Sequence, residues 1–309
     1  MGSVLKKKFV SKIIKKRKPD LLFIQETKLE NVDLRMVQKI WGNTNVEFAV
    51  SNSIGASGGI LILWDFEVFK ASNITVHKSY IILEGMLYGD FQCVLVNIYA
   101  PNGEVQRKEL WDELLQIKAS SQLPWCVGGD LNEIIEIDER VGCTNVNRGM
   151  REFKDFINNM ELMDIPMQGR KFTWTNFQDL AIHSRLDRFL LSQSFIDRFK
   201  LVQWGLPRPI SDHNPIMIAD DCRDWGPKPF RFMDIWLTNP NCLKVAKEAW
   251  ESCQVYGWAG FVIVQKLRAV KNRLKQWNKE DFGNVFTGLE SCQETIYKLD
   301  LVAEDRQLH

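Results

Sequence analysis

The 309 residues carry 45% apolar and 26% charged side chains with a formal net charge of +1, the balance of a globular chain with a sizeable core rather than a disordered or repetitive one. No run approaches the ~18 uninterrupted apolar residues of a membrane span, and the lysine-rich start never opens into the apolar stretch of a secretory signal. The seven cysteines are scattered without a Cys-x-x-Cys spacing, which excludes a structural zinc ribbon; Cys93 and Cys126 fall inside apolar strand patterns and read as reduced packing thiols of a nuclear or cytoplasmic protein.

In chain order, Val4-Leu5, Phe9-Val10 and Ile13-Ile14 recur at helical spacing, surrounded by Lys6, Lys7, Lys8, Lys12, Lys15, Lys16, Arg17 and Lys18 and stopped by Pro19. These cations face no acid, so the rest of the chain is net acidic. A solvated helix face over a sheet is the plain reading, and nuclear import or nucleic-acid contact is the alternative. Leu21 to Ile24 is an apolar strand run that ends in Gln25-Glu26-Thr27, a carboxylate at a strand end. A helix through Met36, Val37 and Ile40 leads to strands over 47–51 and 58–64. The glycine-rich stretch 55–59 lacks a following Lys-Ser/Thr and enters a strand, so it reads as a tight hairpin, not a phosphate loop. Strands over 80–88 and 91–99 flank Gly89-Asp90 as a two-residue turn, and the second brings Tyr99 to Pro101. Leu110, Trp111, Leu114 and Leu115 then fit a helix covering the sheet.

The chain is organised around Pro124 to Asn132, a short buried strand that ends in Gly128-Gly129-Asp130-Leu131-Asn132. The glycines leave room for close approach of a phosphate or metal, and Asp130 and Asn132, two apart on an extended chain, point the same way. An Asx-type turn closing a strand is the plainer alternative. A helix through Met150, Phe153, Phe156 and Ile157 follows, then a strand over 172–176. In Ser184 to Leu191, alternation sends Arg188 to one face and Arg185 and Asp187 to the other. Asp187 then lies half-buried and needs a partner; His213 in Ser211-Asp212-His213 is the candidate, and a surface Arg-Asp ladder is the alternative. Asp224 to Pro229 reads as a linker between residues 1–222 and 223–309. Beyond it Leu267, Val270, Leu274 and Trp277, then Leu289, Cys292, Ile296 and Leu299, read as two helices of a hairpin around Gly283. An acid for a hard cation, a hydroxyl donor, an Asp/Asn pair and an Asp-His pair are together the parts of metal-assisted phosphodiester hydrolysis.

Gln25-Glu26-Thr27, Tyr99-Ala100-Pro101, Gly129-Asp130-Leu131-Asn132, Ser184-Arg185-Leu186-Asp187 and Ser211-Asp212-His213, in that order, resemble the endonuclease/exonuclease/phosphatase superfamily of apurinic endonucleases and pancreatic-type deoxyribonucleases. Phe172 to Asn176, Ser184 to Leu190 and the tail Pro229-Phe230-Arg231-Phe232 with Trp236-Leu237 resemble the endonuclease portion of plant LINE-type retroelement polyproteins, with no reverse transcriptase within the 309 residues. The resemblance implies an α/β (α+β) four-layer sandwich of two packed mixed sheets with outer helices, here followed by a helical segment. It implies Mg²⁺, or Mn²⁺, held by Glu26 with Asp212 as a second metal or leaving-group position. Asp130 would activate water that Asn132 orients, Tyr99 would donate to the phosphate, and Asp187 would orient a charged His213. Family members open with a strand carrying an asparagine, whereas here the helix begins directly after Ser3, so the resemblance implies a missing strand and a slot beside Leu21 to Gln25.

Three functions compete on these grounds. One is a Mg²⁺-dependent endonuclease that nicks DNA, derived from a retroelement. Another is a catalytically silent remnant kept as a binding module. The third is a phosphoesterase of the same fold acting on a small molecule or lipid. Trp174 and the basic helices favour DNA; the missing strand favours the silent remnant.

Overall fold

A computed structural model describes residues 4–53, 55, 58–177, 182–208, 211–220, 232, 234–256, 259–278, 280 and 295–302. They form two compact units, divided between Cys222 and Arg223. In the first, the elements run α1 (Val4–Arg17), β1 (Leu21–Ile24), α2 (Leu34–Trp41), β2 (Glu47–Ser51), β3 (Ile60–Trp64), β4 (Phe69–Val76), β5 (Tyr80–Leu87), β6 (Phe91–Tyr99), α3 (Glu104–Ala119) and β7 (Trp125–Asp130). They continue with α4 (Arg148–Asn159), β8 (Leu162–Asp164), β9 (Met167–Gln168), β10 (Trp174–Thr175), β11 (His183–Ser184), β12 (Asp187–Ser192), α5 (Gln193–Arg198), β13 (Leu201–Gly205) and β14 (Ile216–Asp220).

A six-stranded mixed sheet, β4-β5-β6-β7-β12-β8, is the frame of this unit. Its one parallel step, β6 to β7, is bridged by α3, as a crossover must be. On one face, Trp111 of α3 stacks on Phe156 of α4 with ring centroids 4.4 Å apart, above Val94, Val96 and Val127. On the other face, Ile60, Ile62 and Trp64 of β3 meet Ile81, Leu83, Leu95, Cys126 and Leu191. The far side of β3 is covered by α2 and by Val10 and Ile14 of α1. Helices, sheet, sheets and helices make four layers, a mixed α/β sandwich. The thiols of Cys93 and Cys126 are free and buried in the inter-sheet core, which pushes Cys93 up to about 12 and Cys126 higher still.

The inner layer departs from expectation. Two three-stranded sheets, β1-β3-β2 and β14-β13-β9, lie on the same core face, where the resemblance implied one sheet. Among the described residues β1 pairs only with β3 and β14 only with β13. All of β1 and β14 is half-buried, whereas β3, paired on both sides, is wholly buried. The expected slot beside Leu21 to Gln25 is therefore an unpaired strand edge.

Several local readings are corrected. Leu87 pairs with Phe91, so the hairpin loop is the three residues 88–90, with Tyr88 and Gly89 at φ 54° and 81°. Ser51 pairs with Ile60, making the β2–β3 connection long, not tight; Gly58 and Gly59 there accept backbone bonds from Lys28 and Thr27. The strand over 172–176 shortens to β10. The edge strand β4 leaves no strand signal in the sequence because all but Phe69 and Ala71 of it is exposed, which erases the alternation that marks a half-buried strand.

In the second unit, α6 (Asn241–Ser252) and α7 (Ala259–Trp277) enclose Trp236, Cys242, Val245, Leu274 and Trp277. The sequence paired α7 with a helix over 289–299. The structure gives α7 a partner in α6. Residues 295–302 are helical, while 289–294, Gly283 and the linker 224–229 lie outside the described residues.

Candidate active site

Three neighbouring strands of the large sheet deliver chemistry at one end. Tyr99 ends β6, Asp130 ends β7 and Asp187 begins β12, with Asp130 the register partner of both. Beyond Asp130 the chain does not stay extended. Leu131 N–H donates to the Leu186 carbonyl, and Asn132 turns to φ 51°. Asn132 therefore does not share a strand face with Asp130. Its backbone N–H donates to Asp130 Oδ1 at 3.1 Å and its Nδ2 to the Ala100 carbonyl at 2.6 Å, which ties the end of β7 to the segment carrying Tyr99. The glycine pair also has another cause. A Cβ at Gly128 would lie 2.6 Å from the Phe189 ring, and one at Gly129, where φ is 133°, 2.1 Å from the Ile98 carbonyl oxygen. The glycines make room for protein, not for a phosphate.

His213 lies between the two carboxylates. Its Nδ1 is 2.8 Å from Asp187 Oδ2, and its Nε2 is 3.8 Å from Asp130 Oδ2. The expected Asp187–His213 pair is thus present. Thr173 organises both halves: its hydroxyl accepts from the N–H groups of Leu186 and Asp187, and its carbonyl accepts from Asn214 N–H beside His213. Below Asp187, fully buried Arg188 donates to Glu139 and Asp164, and Arg185 reaches the same two carboxylates. Alternation had placed these arginines on opposite faces, but β12 starts only at Asp187, so Arg185 escapes the pleat.

Glu26 has a different setting. It sits past the end of β1 at φ 47°, and its carboxylate accepts the Tyr99 hydroxyl at 2.5 Å and lies 3.4 Å from Lys28 Nζ. Tyr99 thus donates to Glu26. Gln25, beside it, donates to buried Asn97, which in turn donates to the Leu61 carbonyl and locks β1 and β3 onto β6. Asp212 accepts from Trp174 Nε1 at 3.1 Å and from the Ser211 hydroxyl. Thr173, Asn97 and the Glu139–Asp164–Arg network escaped sequence reasoning because their partners are remote in the chain.

Burial and the charge of Asp187 push the Asp130 carboxyl up to about 7, against the opposing pull of His213 and the Asn132 N–H. Burial works against a charge on His213, but Asp187, Asp130 and Asp212 more than offset it and raise the imidazole to about 10. Tyr99 is pushed well above its ordinary value by burial and by the Glu26 carboxylate. Asp212 is held below the usual range: burial opposes its charge, and His213 and Trp174 outweigh that.

Among the described residues, Asp130, Asp187 and His213 are the one group of acids and histidines whose ligand atoms all lie within 4.8 Å. Its nitrogen is protonated and its Asp187 is hydrogen-bonded, so this trio suits proton handling better than a hard cation, which prefers oxygens. The carboxylates of Glu26, Asp130 and Asp212 all raise Tyr99, Glu26 through a direct hydrogen bond. Carboxylate oxygens of this kind are the ligands a hard divalent cation takes.

The endonuclease/exonuclease/phosphatase family model matches residues 2–213, and the chain belongs to that family. Its members are hydrolases. No curated protein sequence matches the chain. Among solved structures, a 3′ phosphatase from Neisseria, bound to a product DNA hairpin, superposes with TM-score 0.56 at 15% identity, covering 71% of this chain and 95% of its own. The AP endonuclease LMAP of Leishmania major gives 0.53 at 15%, covering 69% and 82%. The endonuclease domain of TRAS1, a telomere-specific non-LTR retrotransposon, gives 0.53 at 12%, covering 72% and 95%. At these identities the likeness is one of fold.

Proposed function

We propose that the chain is a divalent-metal-dependent phosphodiester hydrolase that nicks DNA, descended from the endonuclease portion of a LINE-type retroelement. One observation carries the hydrolytic reading: a charged imidazole is held between two buried carboxylates on neighbouring strands. Asp130, raised to about 7, is matched to taking a proton from an attacking water near neutral pH. His213, kept protonated by Asp187, offers fixed positive charge to phosphoryl oxygens as charge builds on them. Asn132 orients Asp130 through its backbone N–H, and Tyr99 adds a hydroxyl once Glu26 releases it. Glu26 and Asp212 would hold Mg²⁺ or Mn²⁺, which when bound neutralises charge on the phosphate. DNA as the substrate is supported by the motif resemblance and by exposed Lys8, Lys12, Lys15 and Lys16 on α1.

The unpaired edges of β1 and β14 favour a second reading, a folded but silent member of the family. Supercoiled plasmid separates the two. Mg²⁺-dependent nicking that falls at least about a hundredfold in Asp130→Asn supports the enzyme. A cooperative thermal melt without nicking in Mg²⁺ or Mn²⁺ supports the silent protein.

A further inference from the structure

The core of the second unit covers only part of α7. Ile263, Leu267, Val270, Leu274 and Trp277 are spaced 4-3-4-3, the repeat of a helix-packing seam. Leu274 and Trp277 are buried with Trp236, Cys242 and Val245, and Val270 packs against them. Ile263 and Leu267 continue the same seam but are 50% and 55% exposed. The cause is a difference in length, since α6 has 12 residues and α7 has 19. Lys266 Nζ donates to the Trp250 carbonyl at 3.0 Å, two residues before α6 ends, so the first turns of α7 run past their partner. Phe261 and Val264, in those turns, are exposed as well.

A second open stripe lies in the same unit. Residues 295–302 are helical, and Ile296, Leu299 and Val302, three apart and so on one face, are all exposed. Charge decides how the two stripes can pair. Lys266, Arg268, Lys271, Arg273 and Lys275 make α7 basic, and it has no acid, so one α7 laid against another is repelled. The stretch 290–305 carries Glu290, Glu294, Asp300, Glu304 and Asp305 against the single cation Lys298. An acidic helix with an apolar stripe is therefore the complement of the basic, apolar overhang of α7. Both stripes are exposed in the same chain, so neither covers the other within one copy.

We propose that the second unit joins two copies of this chain, the 295–302 helix of each lying on the Ile263–Leu267 overhang of the other. Each copy offers both stripes, so the contact is made twice about a twofold axis and the assembly closes at a dimer. The pairing takes out of water a seam that a lone chain leaves open, and contiguous exposed apolar side chains of this kind mark association surfaces. It goes beyond the hydrolase reading and does not depend on it.

Sedimentation velocity on the full chain, from about 1 to 100 µM, should show monomer passing to dimer and no further. Leu267→Glu sets an acid opposite the acidic helix, and Leu299→Lys sets a cation opposite basic α7. Each should weaken dimerisation by at least about tenfold. Mixed together, the two variants should form a heterodimer tighter than either homodimer, because one of the two contacts then has both of its faces intact. A single surface pairing with its own copy cannot give that recovery. Should either variant melt differently from the parent, Ile263→Gln takes the place of Leu267→Glu and Val302→Gln that of Leu299→Lys, and the mixture is read in the same way. A chain that stays monomeric throughout, a dimer that the variants leave unchanged, or a mixture no tighter than its components overturns the proposal, and each of these results leaves the hydrolase reading untouched.

Discussion

The two sides of the cleft are built differently. Asp130 and Asp187 stand on paired strands inside a six-stranded sheet, both buried, with partners in the Asn132 N–H, the Thr173 hydroxyl and His213. Glu26 stands past the end of a strand with one unpaired edge, its side chain 50% exposed, held by the Tyr99 hydroxyl and by Lys28. A residue fixed by several independent elements keeps its geometry when one contact is lost. A residue fixed by one edge strand depends on whatever pairs with that edge. The cleft thus has a rigid acid–imidazole wall and an adaptable acidic wall, and each half can be tested alone.

The largest effect should come from the support beneath the rigid wall. Arg188→Met leaves half-buried Glu139 and Asp164 with the Arg185 guanidinium alone, and the loss of stability in urea unfolding should be about 3–5 kcal/mol. A loss below about 1 kcal/mol would mean that Arg185 alone can serve both carboxylates, and that the wall is less dependent on Arg188 than its full burial suggests.

Asp187 and His213 should behave as one device. Nicking is expected to fall about 10²–10⁴-fold in Asp187→Asn and in His213→Ala, with the double variant little worse than either. Multiplying effects would show two independent groups and break the picture of a single wall.

The buried carboxyl of Asp130 makes a prediction in pH. Its folded pKa of about 7 lies above the ordinary 3.8, so the folded state holds this proton more tightly, and stability falls as pH rises from about 4 through about 7. Asp130→Asn removes that loss. The variant should therefore be more stable than the parent at pH 8, by on the order of 2 kcal/mol, and little different at pH 4. An equal effect at both pH values in thermal melts would show that the carboxyl titrates normally.

The adaptable wall should respond to pairing its edge. Adding an alternating strand that ends in asparagine ahead of Val4 offers ladder bonds to β1 and β14, and should raise the thermal midpoint by a few degrees and increase Mg²⁺-dependent nicking. If the chain as it stands nicks as fast as the extended one, Glu26 needs no further support.

Much of this was readable from residues alone. Apolar runs that stop at Glu26, Tyr99 and Asp130, and one that starts just after His213, located the strand ends, because a strand must leave the core where its side chains turn polar. The demand of a half-buried carboxylate for a partner joined Asp187 to His213 across 26 positions. Other features depended on contacts that no local pattern records. The glycines at 128 and 129 look like a ligand cradle in sequence, yet Phe189 and the Ile98 carbonyl, from strands on either side, fill the space. Arg188 meets Glu139 and Asp164 from 49 and 24 residues away. Asn97 is one more polar residue in an apolar strand until β1 and β3 are laid across it. Periodicity reports which face of an element is buried, since burial follows the repeat of the backbone. It is silent on what that face meets, because the partner is chosen by the packing of the whole chain.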